Sequence, residues 1–128
     1  MRTILLSINP KFVEKILFGD KKFEFRKICP RGGVDRIVIY STAPVSMVIG
    51  HADVANVIIG NPAAVWEQTK QFAGIDKRFF DSYYAGRDTA IAFELINLRR
   101  YKTPKTLQSI GVGHAPQSFI YLPDLDIE

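Results

Sequence analysis

Cysteine is nearly absent from this chain: Cys29 is the only one in 128 residues. That excludes an internal disulfide and suits a reducing compartment, so a cytoplasmic location is expected. Histidine is almost as scarce, with only His51 and His114. These three nitrogen and sulfur ligands are spread along the chain without paired spacing, so neither a metal site nor a cofactor is expected. No apolar run approaches the roughly 18 residues that span a bilayer, which argues against membrane insertion. The opening "MRTILLSINPKF" has too short an apolar run for a signal peptide and no small-residue cleavage site, so it reads as a first strand. Neither a G-x-x-x-x-G-K-[ST] phosphate loop nor a G-x-S-x-G nucleophile elbow occurs.

What is present is ordinary globular material. Apolar residues make up 47% and charged residues 23%, enough for one hydrophobic core. A single domain over residues 1–123 is expected, followed by an acidic tail at 124–128 carrying Asp124, Asp126 and Glu128. The net charge of +4 is unevenly spread. Residues 1–36 hold nine Lys or Arg against four acids, and "RRYKTPK" at 99–105 adds four bases and no acid. If these segments meet they form one basic face suited to phosphate or another polyanion. A scattered, solvated surface has the same count.

Pattern and punctuation divide the chain into elements. "RTILLSI" is a short strand. "NPKFVEKILFG" is a helix, with Asn9 as its cap, Pro10 in its first turn and Gly19 at its end. Residues 22–28, "DRIVIYS" and "SMVIGHADVANVII" follow as strands, with Gly50 marking a bulge or bend in the last. "NPAAVWEQTKQFAG" and "DKRFFDSYYAG" form a helical insert, in which Trp66, Phe79 and Tyr83 fall at spacings that favour core packing over base stacking. Residues 89–99 return to strand, "PKTLQSIG" is a short helix or turn, and "QSFIYL" closes the fold. Strands outnumber helices and do not alternate with them. That predicts an α+β fold, a small, mostly antiparallel β-barrel decorated by helices, and not a doubly wound parallel sheet.

The stretch "GDKKFEFRK" concentrates the chemistry. Phe23 and Phe25 alternate with Lys22, Glu24 and Arg26, so one strand face carries plus, minus, plus at roughly 7 Å spacing. Lys21 lies in the turn before it, where strand parity is not yet set. The plain reading is a solvated salt ladder, in which Glu24→Gln changes stability by a few tenths of a kcal/mol. The alternative is a recognition site, its cations meeting phosphates and its carboxylate accepting from an exocyclic amine. Oppositely charged neighbours also tend to hold each other ionised, which would keep Lys21 protonated near neutral pH.

The run "SINPKFVEKILFGDKKFEFRK" resembles the ASCH domain family of the PUA-like superfamily, whose signature G-x-K-x-x-E-x-R is met by Gly19, Lys21, Glu24 and Arg26. "YSTAPVSMVIGHADV" is similar to the family's strand-turn-strand, with Tyr40, Ser41, Thr42 and Pro44. "APQSFIYL" is similar to its closing strand, with Pro116, Gln117 and Ser118. The resemblance implies a PUA-like β-barrel and a basic cleft that binds RNA or a nucleoside or nucleotide. Its expected ligand-binding residues are Lys21, Lys22, Glu24, Arg26, Tyr40, Ser41, Thr42, Gln117 and Ser118. Some bacterial relatives imply an enzyme instead, either an amidohydrolase acting on acylated cytidine or a ribonuclease, with Lys21 and Glu24 catalytic. The amidohydrolase pattern expects a Thr where this chain has Glu24. It also expects a distant acid, for which Glu67, Asp76 and Asp81 are all candidates. A partner-binding scaffold in transcription or translation is a third implication.

Overall fold

The computed structural model describes residues 1–123; the expected acidic tail at 124–128 lies outside them. Six strands form one sheet: β1 (Thr3–Ile8), β2 (Phe23–Arg26), β3 (Arg36–Ser41), β4 (Met47–Gly60), β5 (Ala90–Lys105) and β6 (Phe119–Leu122). Their spatial order is β2-β5-β4-β3-β1-β6. Only β1 and β3 run parallel; the other neighbouring pairs are antiparallel. The sheet curls into a half-barrel, as the mostly antiparallel reading predicts. Arg26 ends β2 at one edge, yet its Nη2 donates to the Ser7 carbonyl of β1, four places across, at 2.7 Å.

Three helices decorate the sheet: α1 (Pro10–Phe18), α2 (Pro62–Thr69) and α3 (Lys77–Tyr83), with a 3₁₀ turn at Lys70–Phe72 after α2. The sequence punctuation works as expected at α1. Asn9 accepts from the Lys11 amide at 2.9 Å, Pro10 occupies the first turn, and Gly19 closes the helix at φ 98°. Val13 and Ile16 bury against Ile4, Leu6, Ile8 and Phe93, forming the core on the face of the sheet that α1 covers. The opposite face packs Leu5, Val38, Tyr40 and Tyr101. A third cluster lies under the helical insert and centres on Phe80, which is fully buried with ring neighbours Phe25, Trp66 and Tyr84 at 5.3, 5.0 and 4.9 Å.

Several boundaries differ from the sequence reading: β2 covers only Phe23–Arg26 of the expected 22–28, and β6 only Phe119–Leu122 of "QSFIYL". β5 runs on to Lys105, so Pro104 and Lys105 are strand, and only Gln108–Ile110 make a 3₁₀ turn. Pairing of Lys105 with Val48 outweighs the weak strand propensity of Pro104. Gly50 does mark a bulge: the ladder shifts register beside it, and a Cβ there would lie 2.2 Å from the Arg99 carbonyl oxygen.

Candidate functional site

A cavity of about 180 Å³ opens between α1, the start of β2 and α3. Its charged floor is Lys21, Glu24 and Arg26; its apolar walls are Phe12 from α1, Phe25 from β2, and Ile75, Phe79 and Tyr83 from the insert. Asn9, the cap of α1, stands at its rim. Phe12 and Phe79 meet edge to face at 5.4 Å, so α1 and α3 touch through aromatic rings beside the opening.

The charged row is built in, not laid on. Lys21 is 3% exposed and Glu24 5%. Arg26 donates to Glu24 Oε2 from Nη2 at 2.7 Å and from Nε at 3.2 Å. Lys21 Nζ lies 3.7 Å from the other oxygen, Glu24 Oε1, and donates to the Ala73 carbonyl at 2.9 Å. The ammonium also sits 4.8 Å from the Phe25 ring centroid and 5.5 Å from that of Phe12. Two cations against one carboxylate leave one surplus positive charge in an apolar cavity.

Lys21 reaches this position because the loop before α3 makes room for it. Gly74 has φ +70°, and a Cβ there would lie 2.4 Å from Lys21 Cβ. Lys15 Nζ donates to the Gly74 carbonyl at 3.0 Å, and the Lys22 amide to the Phe72 carbonyl at 2.9 Å, so the loop is held from three points. Burial lowers the Lys21 pKa from its usual 10.5 and outweighs the opposing effect of Glu24. The Glu24 effect expected from the sequence is present, raising the Lys21 pKa, but burial acts against it and is the larger of the two. Burial raises the Tyr83 pKa, so its phenol stays protonated and able to donate.

The structure brings Lys21, Glu24 and Arg26 together and places the other sequence candidates elsewhere. Lys22 is exposed, with its ammonium 4.2 Å from the Phe72 ring centroid. Tyr40 points into the core on the far face of the sheet, and Ser41 is buried. Thr42 donates its amide to the Ile8 carbonyl at 3.0 Å. Gln117 is exposed, and the Ser118 carbonyl accepts from the Ser7 amide at 3.1 Å. None of these lines the cavity, although Arg26, through the Ser7 carbonyl, reaches the strand that pairs with "YS" and with the closing segment. The candidate distant acids are engaged elsewhere: Glu67 with Lys70, Asp81 with Lys77, and Asp76 as the cap of α3. "RRYK" pairs with β4, with Arg99 opposite His51, whereas β2 pairs with residues 91–94. The two basic stretches thus lie about 16 Å apart along β5. Phe12 is a site residue that sequence reasoning placed only on a helix face, and Phe79 and Tyr83, which it assigned to core packing over base stacking, also line the cavity. Their one-turn spacing was legible in the sequence, but only the structure shows Phe79 47% exposed beside the cavity. Among the described residues, no cluster of His, Cys, Asp or Glu suits a metal ion, and no helix is long and apolar enough to cross a membrane.

No protein-family model matches the chain. A crystal structure of the ASCH protein from Zymomonas mobilis, a Tyr-to-Phe mutant, matches it with a TM-score of 0.87 and 28% identity, covering 97% of this chain and 92% of that one. The "ASCH domain-containing ribonuclease" of Zymomonas mobilis is 33% identical over 92 residues, which are 71% of this chain and 62% of that protein. The "Large ribosomal subunit protein uL22" of Ureaplasma parvum is 34% identical over 122 residues, 94% of this chain. The chain spans only 39% of the length of that relative. The shared half-barrel and the sequence similarity to the Zymomonas protein together support an ASCH domain in this chain.

Proposed function

We propose that this domain binds single-stranded RNA by taking one unpaired nucleotide into the cavity above Lys21, Glu24 and Arg26. The observation that carries this reading is the buried plus-minus-plus row under aromatic walls. A surplus cation in an apolar cavity favours an anionic ligand with a flat, apolar body, and a nucleotide combines the two. Glu24 Oε1, 3.7 Å from Lys21, is positioned to accept from an amine on a base edge. At about 180 Å³ the cavity falls below the ~300 Å³ of drug-sized ligand sites, so it suits one ring system and not a stretch of strand. The Zymomonas relative named a ribonuclease supports RNA as the partner.

RNA cleavage is a second reading, favoured by Lys21 itself. Burial lowers its pKa, which moves a lysine toward service as a proton acceptor. Amidohydrolase chemistry has less support, because none of the three candidate acids lines the cavity. The test is titration of a labelled single-stranded RNA into the wild type and Lys21→Met, with cleavage products followed in parallel. Affinity should fall at least about tenfold in the variant, the loss expected for a charge-assisted hydrogen bond of roughly 1.5–3 kcal/mol. Equal affinity in a variant that melts normally would refute the site. Product formation that vanishes with Lys21 would establish the cleavage reading.

A further inference from the structure

Two exposed cations outside the charged row lie close to Tyr83, one wall of the cavity. Lys27 follows Arg26 directly off the end of β2, and its ammonium lies 4.6 Å from the centroid of the Tyr83 ring. That ring is half-buried and lines the cavity. Arg87, exposed in the turn after α3, is near enough to Tyr83 to oppose the burial-driven rise in its pKa. One residue ties the two segments together. The Tyr84 hydroxyl donates to the Arg26 carbonyl at 2.9 Å, and the Arg87 amide donates to the Tyr84 carbonyl at 2.9 Å.

Among the described residues, neither Lys27 nor Arg87 belongs to an ion pair. Asp88 is the next residue after Arg87, while Asp81 on α3 is already held by Lys77 at 2.8 Å. The rim therefore adds two cations to a cavity that already carries surplus positive charge. Beside them is the Tyr83 ring, half-buried against the cavity, 4.6 Å from the Lys27 ammonium and within electrostatic reach of Arg87. Cations flanking an aromatic platform suit a single strand, whose phosphates and bases alternate.

Resting on the RNA reading above, we infer that the Lys27–Tyr83–Arg87 rim carries the phosphodiester backbone of the strand as it leaves the cavity. The basic stretch at Arg99–Lys105 does not, because it pairs with β4 and lies along β5 away from β2.

The test measures binding of a fluorescent short single-stranded RNA by anisotropy between about 50 and 200 mM salt. Each phosphate contact on a single strand contributes about 0.7 to the slope of log affinity against log salt. Lys27→Ala with Arg87→Ala should therefore lower the slope by roughly 1.4, while binding of a free nucleoside monophosphate stays unchanged. Lys27→Gln with Arg87→Gln keeps more of the side-chain stems and should lower it equally, which separates charge from packing on Tyr83. Arg99→Ala with Arg100→Ala should leave the slope as in the wild type. An unchanged slope in both rim variants, or a drop only in the Arg99 and Arg100 variant, overturns the rim and leaves the cavity reading standing. Failure of the wild type to bind RNA removes both.

Discussion

Glu24→Gln separates a solvated salt ladder from a built-in site, because the two arrangements respond to it differently. In a ladder the substitution is nearly silent. Here Glu24 is 5% exposed and lies between Arg26 and a Lys21 that is itself 3% exposed. The amide keeps the shape but removes the only carboxylate in the row. Arg26 retains its bond to the Ser7 carbonyl and some solvent, so most of the penalty falls on Lys21. Removing one partner of a buried pair costs about 3–5 kcal/mol. Lys21 has an escape that sets a ceiling, since it can lose its proton. From a usual value of 10.5, that costs about 4.8 kcal/mol at pH 7. The expected destabilisation is about 3 kcal/mol, a drop in melting temperature on the order of 10 °C.

The pH dependence adds a second readout. The folded pKa of Lys21 lies below its unfolded value, so the unfolded chain binds more protons between the two. Stability contributed by this group therefore rises with pH through that window, and the full penalty is present below it. In Glu24→Gln the folded pKa falls further, so the recovery begins at lower pH. The stability gap between the two proteins should narrow as pH rises toward 10.5. Denaturant melts of both proteins across neutral to alkaline pH, with Glu67→Gln as an exposed control pair, measure this directly. A Glu24→Gln protein that melts like the wild type at pH 7, with no pH-dependent gap, refutes the buried-row argument.

Three further outcomes are expected. Gly74→Ala forces a left-handed backbone on a residue with a Cβ and drives it into the Lys21 stem. The backbone alone should cost about 1–2 kcal/mol in a thermal melt, with RNA affinity falling because Lys21 is displaced. Tyr84→Phe removes the phenol that donates to the Arg26 carbonyl at 2.9 Å and accepts from the Ile91 amide at 3.3 Å; a loss of about 1–3 kcal/mol should show in denaturant unfolding. Lys22→Ala, at an exposed residue outside the cavity, should leave the affinity for a free nucleoside monophosphate unchanged in a direct titration, whereas Lys21→Met lowers it.

Local rules alone determined much of this protein. Alternation placed Phe23 and Phe25 opposite Glu24, Asn-Pro openings marked the starts of α1 and α2, and a glycine stop ended α1, because caps and strand parity depend on residues only a few positions apart. The resemblance carried by Gly19, Lys21, Glu24 and Arg26 pointed to an ASCH domain and a small β-barrel, which the structure shows as a half-barrel. Tertiary structure decided what those residues experience. Whether Lys21 is a surface cation or a buried one depends on Ala73 and Gly74, more than fifty residues away, and no local pattern announces that contact. The same holds for Tyr40. Its parity was readable, but only the packing of α1 showed that the cavity lies on the other face of the sheet. Even the separation of the two basic stretches follows from β5 continuing to Lys105, a length set by its pairing with β4 and not by its own propensity. Burial and long-range pairing are sums over distant partners, and a sequence read locally contains only one side of each pair.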